Sequence, residues 1–179
     1  MTLTLPTQTV LPNENRIVLT DTLDSAVRTL FSHYDTEVHP SPDGAPLDII
    51  AVVGLNDEQM RGAVAIGLGS TLLHQLYTSM LGPIATPAGL SDLLGELCNQ
   101  TAGRFKAELS RYGLHVQLST PMVVRGTDVE VHPAQAAVQL HYATPYGPLS
   151  VWLGVDCPQP LVAQESSPPA LETSVLLEF

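Results

Sequence analysis

Apolar positions in this chain are spaced in two ways, and the alternation between them divides it into elements. Over residues 21–34 they fall at Leu23, Ala26, Val27, Leu30, Phe31 and Tyr34. That is the stripe of a helix laid on a core, and Asp21 stands where an N-cap is needed. Before it, residues 16–19 read as a short strand behind a Thr- and Pro-rich arm. Beyond the Pro, Gly and Asp loop HPSPDGAP at 39–46, the apolar residues run together. LDIIAVVG (47–54) and RGAVAIGLG (61–69), parted by the turn NDEQ (56–59), predict a hairpin of strands rich in β-branched residues. Ser70 can cap a helix, TLLHQLYTSML, that stops at Gly82-Pro83, a termination signal. After GPIATPAG, helical spacing resumes over 90–112, with Gly113 as C-cap. Strands follow at 115–125, 137–144 and 149–155, the last two flanking the turn PYG.

Helices interleaved with hairpins predict an α+β fold, a largely antiparallel sheet with helices packed on one face. The expected organisation is an N-terminal arm (1–15), one domain (16–156) and a tail (157–179). The Pro, Ser and Glu content of that tail predicts disorder. Its last residues, SVLLEF, are apolar enough to dock on this chain or on a partner. No internal repeat is evident, and the first helix carries no Glu-x2-Asn.

Composition changes this picture in three places. The chain has 179 residues, 44% hydrophobic and 14% charged, a globular balance with enough length for a real core. Its formal net charge of −11 argues against nucleic acid, because phosphate-backbone binding needs clustered Lys and Arg. The two cysteines, Cys98 and Cys157, read as reduced thiols rather than a disulfide framework. The N-terminal MTLTLPTQTVLPNENR lacks the basic and apolar regions of a signal peptide. Apolar runs such as 49–53 are too short to span a bilayer. The expected location is the cytoplasm, with no membrane partner.

Chemistry concentrates on the helix at 90–112. At about 100° per residue, Leu90, Leu93, Leu94, Leu97, Cys98, Thr101, Phe105 and Leu109 fall within an arc of roughly 160°. Asp92, Glu96, Asn99 and Gly103 lie on the opposite side within roughly 60°, a polar ridge of neighbours three and four residues apart. A Glu and an Asn on an exposed face are ordinarily a solvated surface. Here they come with Asp92 four residues before the Glu and Pro121 after a 21-residue gap. At average usage, those four residue types at those offsets co-occur in roughly one chain per few hundred. Gly103 is either a packing relief or a bare patch that lets another protein approach. Gly inside a helix costs about 1 kcal/mol relative to Ala.

This pattern, Asp-x3-Glu-x2-Asn, about 21 residues, then Pro, resembles the signature of the CheC/CheX/FliY chemotaxis phosphatases. Asp92, Glu96, Asn99 and Pro121 match it at every position. The order of elements over 16–156 is also similar, and a single motif makes the chain resemble CheX rather than CheC. The resemblance implies a CheC/CheX-like fold, a homodimer, and hydrolysis of the phosphoaspartate of a CheY-like response-regulator receiver in two-component signalling. It implies that Asn99 orients the attacking water and that Glu96 pairs with the receiver's lysine. Mg²⁺ would be held by the receiver, with no cofactor on this chain. Asp92, Gly103 and Pro121 are supporting positions, Asp92 favoured near a helix N-terminus and Pro121 as the end or bend of a strand. Arg104 and Lys106, with Arg111, answer first to the helix dipole and secondly to steering of an acidic partner.

Other signals carry less. The six histidines lack zinc-site spacing. Cys98 belongs to the apolar stripe and reads as a buried thiol, and Trp152 reads as core. The competing reading is a non-catalytic module that binds a receiver or a flagellar switch component through the same ridge. A third, a small-molecule-binding domain, rests on fold analogy alone.

Overall fold

The computed structural model describes residues 11–129, 131 and 137–164. Among these, seven strands form one antiparallel sheet in the order β1-β6-β7-β3-β2-β4, with β5 also paired to β2. The strands are β1 (His39–Pro40), β2 (Leu47–Asn56), β3 (Arg61–Leu68), β4 (Gln117–Leu118), β5 (Met122–Val129), β6 (Ala137–Thr144) and β7 (Gly147–Asp156). The helices are α1 (Asn13–Ser32), α2 (Ser70–Leu81) and α3 (Pro87–Leu109), the last continued by a single 3-10 turn, Ser110–Tyr112.

All three helices cover the same face. Along β2, Ile49, Ala51, Val53 and Leu55 join the buried stripes of the helices in one core, as period-two alternation requires. Leu47 and Ile50 point the other way and meet Ala65 and Trp152 in a smaller cluster. Cys98 and Trp152 are thus both core residues, on opposite sides of the sheet. The two expected hairpins are present with continuous register, β2 with β3 and β6 with β7. Gly113 ends the 3-10 turn at φ 76°, a backbone conformation that favours glycine.

Several expected boundaries move, each for a tertiary reason. Residues 16–19 are helix, not strand, and Asp21 lies inside α1 rather than capping it. The core stripe extends back to fully buried Leu19, and Asn15, also fully buried, is held from a distance. The Asn15 Nδ2 donates to the carbonyls of Cys157 (2.9 Å) and Gln159 (2.7 Å), and its Oδ1 accepts from the Leu161 N–H (2.8 Å). The Gln164 N–H then donates to the Arg111 carbonyl at 2.8 Å. Packed structure therefore continues past both expected domain edges, from Leu11 to Gln164. The expected arm and tail otherwise fall at 1–10 and 165–179, outside the described residues.

Part of the loop expected at 39–46 adds a two-residue edge strand on β6. Gly69, not Ser70, is the N-cap of α2, and the Ser70 hydroxyl donates to Asp48 at 3.1 Å. The strand expected at 115–125 is two strands, β4 and β5, on the same edge of β2. They are separated at 119–121, where Ser119 takes over the pairing. Its N–H donates to the Gly54 carbonyl (3.0 Å) and its hydroxyl accepts from the Gly54 N–H (2.8 Å). Pro121, with no N–H to donate, stands immediately before β5.

Candidate functional site

Helix α3 starts at Pro87, one turn earlier than the spacing alone suggests, because Thr86 caps it by accepting from the Gly89 N–H at 3.1 Å. Arg125 of β5 holds the same end, donating through Nε to the Ser91 hydroxyl at 2.8 Å and also to the Pro87 carbonyl. Asp92 is consequently the sixth helical residue. The dipole argument for it weakens accordingly, since that effect fades beyond the first turn.

The apolar stripe, Leu90 to Leu109, is buried, and the ridge opposite faces outward. Asp92 and Glu96 are exposed, Asn99 and Gly103 half-buried. Cys98, on the buried side, donates weakly toward the carbonyls of Ala51 and Val64. Burial pushes its thiol up to about 12, which removes it as a nucleophile. A Cβ built on Gly103 would meet nothing within 4 Å, so among the described residues no contact requires glycine there.

Two elements flank the ridge. On one side Pro121 reaches the helix at Gly95, where an added Cβ would stand 3.6 Å from both Pro121 Cβ and Val123 Cγ2. On the other side Tyr34, just past the end of α1, donates its hydroxyl to Gln100 Oε1 at 3.0 Å. Gln100 Nε2 in turn donates to Glu96 Oε1 at 2.8 Å. The fold thus brings together Glu96, Asn99 and Gly103 with Pro121 beside them. Lys106 lies two turns beyond Asn99 and is half-buried. Arg104 is half-buried too, and its Nε is enclosed with no hydrogen-bond partner among the described residues.

Neither Glu96 nor Asn99 lines any of three surface clefts, one beside Asp57 and His115, one beside Arg28 and His39 and one beside Asp48 and Arg125. Among the described residues, no three His, Cys, Asp or Glu side chains gather in a way that could hold a metal ion. No helix among them is long and apolar enough to cross a membrane. The ridge is an outward-facing helix surface carrying the Glu96 carboxylate and the Asn99 carboxamide one turn apart.

Residues 49–144, which contain the whole motif, match the family model of the chemotaxis phosphatase CheX. The chain belongs to the CheX family. Over 90 residues it is 28% identical to the CheY-P phosphatase CheX of Thermotoga maritima, covering 48% of this chain and 57% of that relative. The matched stretch is therefore little more than half the relative's length. Among solved structures, chemotaxis protein CheX from Vibrio vulnificus aligns over 79% of this chain and 98% of its own, with a TM-score of 0.72 and 20% identity. A chain of the CheX–CheY–BeF3–Mg²⁺ complex from Borrelia burgdorferi aligns over 76% of this chain and 94% of its own, with a TM-score of 0.62 and 16% identity. At these identities the structures establish a CheX fold, an antiparallel sheet with three helices.

Within the CheX fold, sequence reasoning passed over Gly95 and Gln100 and assigned Tyr34 to the apolar stripe of the first helix alone. Gln100 was accessible as the i+4 partner of Glu96. The bond from Tyr34 was not, because 66 residues separate it from Gln100.

Proposed function

We propose that this protein is a phosphatase of the phosphoaspartate in a CheY-like receiver domain, with its active site completed by that substrate. Asn99 enters the receiver's phosphoaspartate pocket and orients a water in line with the bond to be broken. The water attacks phosphorus, the bond from phosphorus to the aspartyl oxygen breaks, and inorganic phosphate and a free carboxylate leave. A carboxamide suits this task because it offers both donors and an acceptor without any change of protonation. Glu96 pairs with the receiver's lysine and fixes the docking geometry. Mg²⁺ belongs to the receiver. Catalysis of this kind is positioning and electrostatic stabilisation, which a rigid helix face can provide. A second copy of the chain completes the proposed assembly, covering a sheet edge that would otherwise stay unpaired.

The observation that carries this reading is the ridge itself. Glu96 and Asn99 stand one turn apart on the outward face of α3, beside Gly103, where an added Cβ would meet nothing within 4 Å among the described residues. The CheX family membership supports the phosphatase reading, and the Borrelia burgdorferi neighbour, a complex with CheY, supports the choice of partner.

The test is the decay of phosphorylated receivers from the same cell, with and without the protein and with its Glu96→Ala and Asn99→Ala variants. Acceleration lost in Asn99→Ala and weakened through a raised KM in Glu96→Ala supports the proposal. Acceleration undiminished in Asn99→Ala refutes the mechanism. Stable binding without acceleration would favour the non-catalytic module.

A further inference from the structure

Glu96 is exposed at the surface of α3, where a carboxylate on two flexible methylenes ordinarily samples many rotamers. Here one of its oxygens is held. Gln100 lies one turn on, its Nε2 2.8 Å from Glu96 Oε1, while its own Oε1 accepts from the Tyr34 hydroxyl at 3.0 Å. The polarity of this chain of bonds is fixed by chemistry. An ionised carboxylate only accepts, so the Gln100 NH2 must face Glu96, its carbonyl must face Tyr34, and the phenol must donate. The chain is anchored at its far end, since Tyr34 packs against the main core. It occupies one oxygen of Glu96 and leaves Oε2 for another partner.

We infer that Gln100 and Tyr34 are positioning residues, which hold the Glu96 carboxylate in the orientation that meets the cationic side chain of the docking protein. The inference rests on the phosphatase reading above and adds to it residues that the Asp-Glu-Asn-Pro motif does not contain. Orientation before encounter lowers the entropy cost of docking. The effect therefore falls on the receiver concentration needed for half-maximal rate, whereas Asn99 governs turnover.

Two measurements on the full chain test it. The first is the side-chain amide resonance of Gln100 in the free protein. It moves in Glu96→Ala and in Tyr34→Phe if the bonds exist in solution, and an unmoved resonance overturns the inference whatever the kinetics.

The second is steady-state dephosphorylation of the receiver. Gln100→Leu keeps helix propensity while removing both amide hydrogen bonds, and is expected to raise KM by about fivefold with kcat within about twofold of wild type. Loss of fold would instead lower the apparent kcat. Gln100→Glu sets a like charge one turn from Glu96 and raises KM at least as much. In a Glu96→Ala background, Gln100→Leu adds nothing, because it acts only through Glu96.

If Asn99→Ala is inactive while Gln100→Leu matches wild type, this inference falls and the phosphatase reading stands. If Gln100→Leu is additive with Glu96→Ala, Gln100 acts on its own and the positioning role is refuted. If no receiver is turned over, both fall together.

Discussion

Pro121 meets helix α3 at Gly95, the residue immediately before Glu96. A Cβ on that glycine would lie 3.6 Å from Pro121 Cβ. The long gap in the motif is thus the path of the chain from Asn99 to the end of α3, around Gly113, along β4 and back to the same helix. The fold thereby seats the proline beside the helix turn that carries Glu96.

At 3.6 Å the added methyl of Gly95→Ala makes an ordinary van der Waals contact. The substitution should raise stability by about 0.5–1 kcal/mol through helix propensity, measured by urea denaturation. Gly95→Leu has no such room between helix and strand. It should lower stability by about 1–3 kcal/mol, as overpacking does.

Gly103 separates folding from docking. Gly103→Ala and Gly103→Gln enter open space and should each stabilise the isolated protein by up to about 1 kcal/mol. The larger side chain should nevertheless raise KM for the phosphorylated receiver, because it stands on the face offered to it. An unchanged KM in Gly103→Gln would take Gly103 out of the docking surface.

Asn99→Asp keeps the shape and changes only the chemistry. The carboxylate loses the NH2 donor and adds a negative charge facing a phosphoryl group. Its phosphatase activity should fall as far as that of Asn99→Ala, with the thermal midpoint unchanged within a few degrees.

Asn15 is fully buried and uses two donors and an acceptor on the segment from Cys157 to Leu161. Asn15→Ala leaves those groups without their partner and should cost about 2–3 kcal/mol. Cys157, buried beside it, should then react with a thiol reagent before Cys98 does. Equal protection of both thiols in Asn15→Ala would contradict this role.

The stability of the fold should decline on the alkaline side. Burial holds the Cys98 thiol up to about 12, while in the unfolded chain it titrates near about 8.5. The folded state therefore binds more protons over that window. The stabilisation is complete below the unfolded value and is lost as pH rises toward 12, by up to about 1.4 kcal/mol per pH unit. Tyr142 adds the same sign above its ordinary range, raised by burial and by its bond to Asp24. Cys98→Ala should flatten the slope measured between pH 9 and 10, and a slope unaltered by that change would count against the assignment.

The elements with a strong internal period were legible in the sequence: the β2–β3 and β6–β7 hairpins, the buried stripe of α3 and the polar ridge on its back. In each, side-chain direction follows from the local period alone, so residue order suffices. The misread places are those where a distant partner outweighs the local preference. Residues 16–19 favour a strand, yet they are helix because Leu19 reaches the core and Asn15 binds a segment more than 140 residues away. The run at 115–125 reads as one strand, yet Ser119 and Pro121 divide it at the edge of β2.

The same division runs through the candidate site. The sequence by itself determined which helix face carries Asp92, Glu96, Asn99 and Gly103, while Pro121 was joined to them by resemblance to the family signature. Tertiary structure alone decided that Pro121 seats on Gly95 and that Tyr34, through Gln100, holds Glu96. The physical reason is range. A helix sets the spacing of its own side chains through backbone hydrogen bonds four residues apart. What stands on either flank depends on which segments the hydrophobic core draws together, and a local pattern contains no term for that.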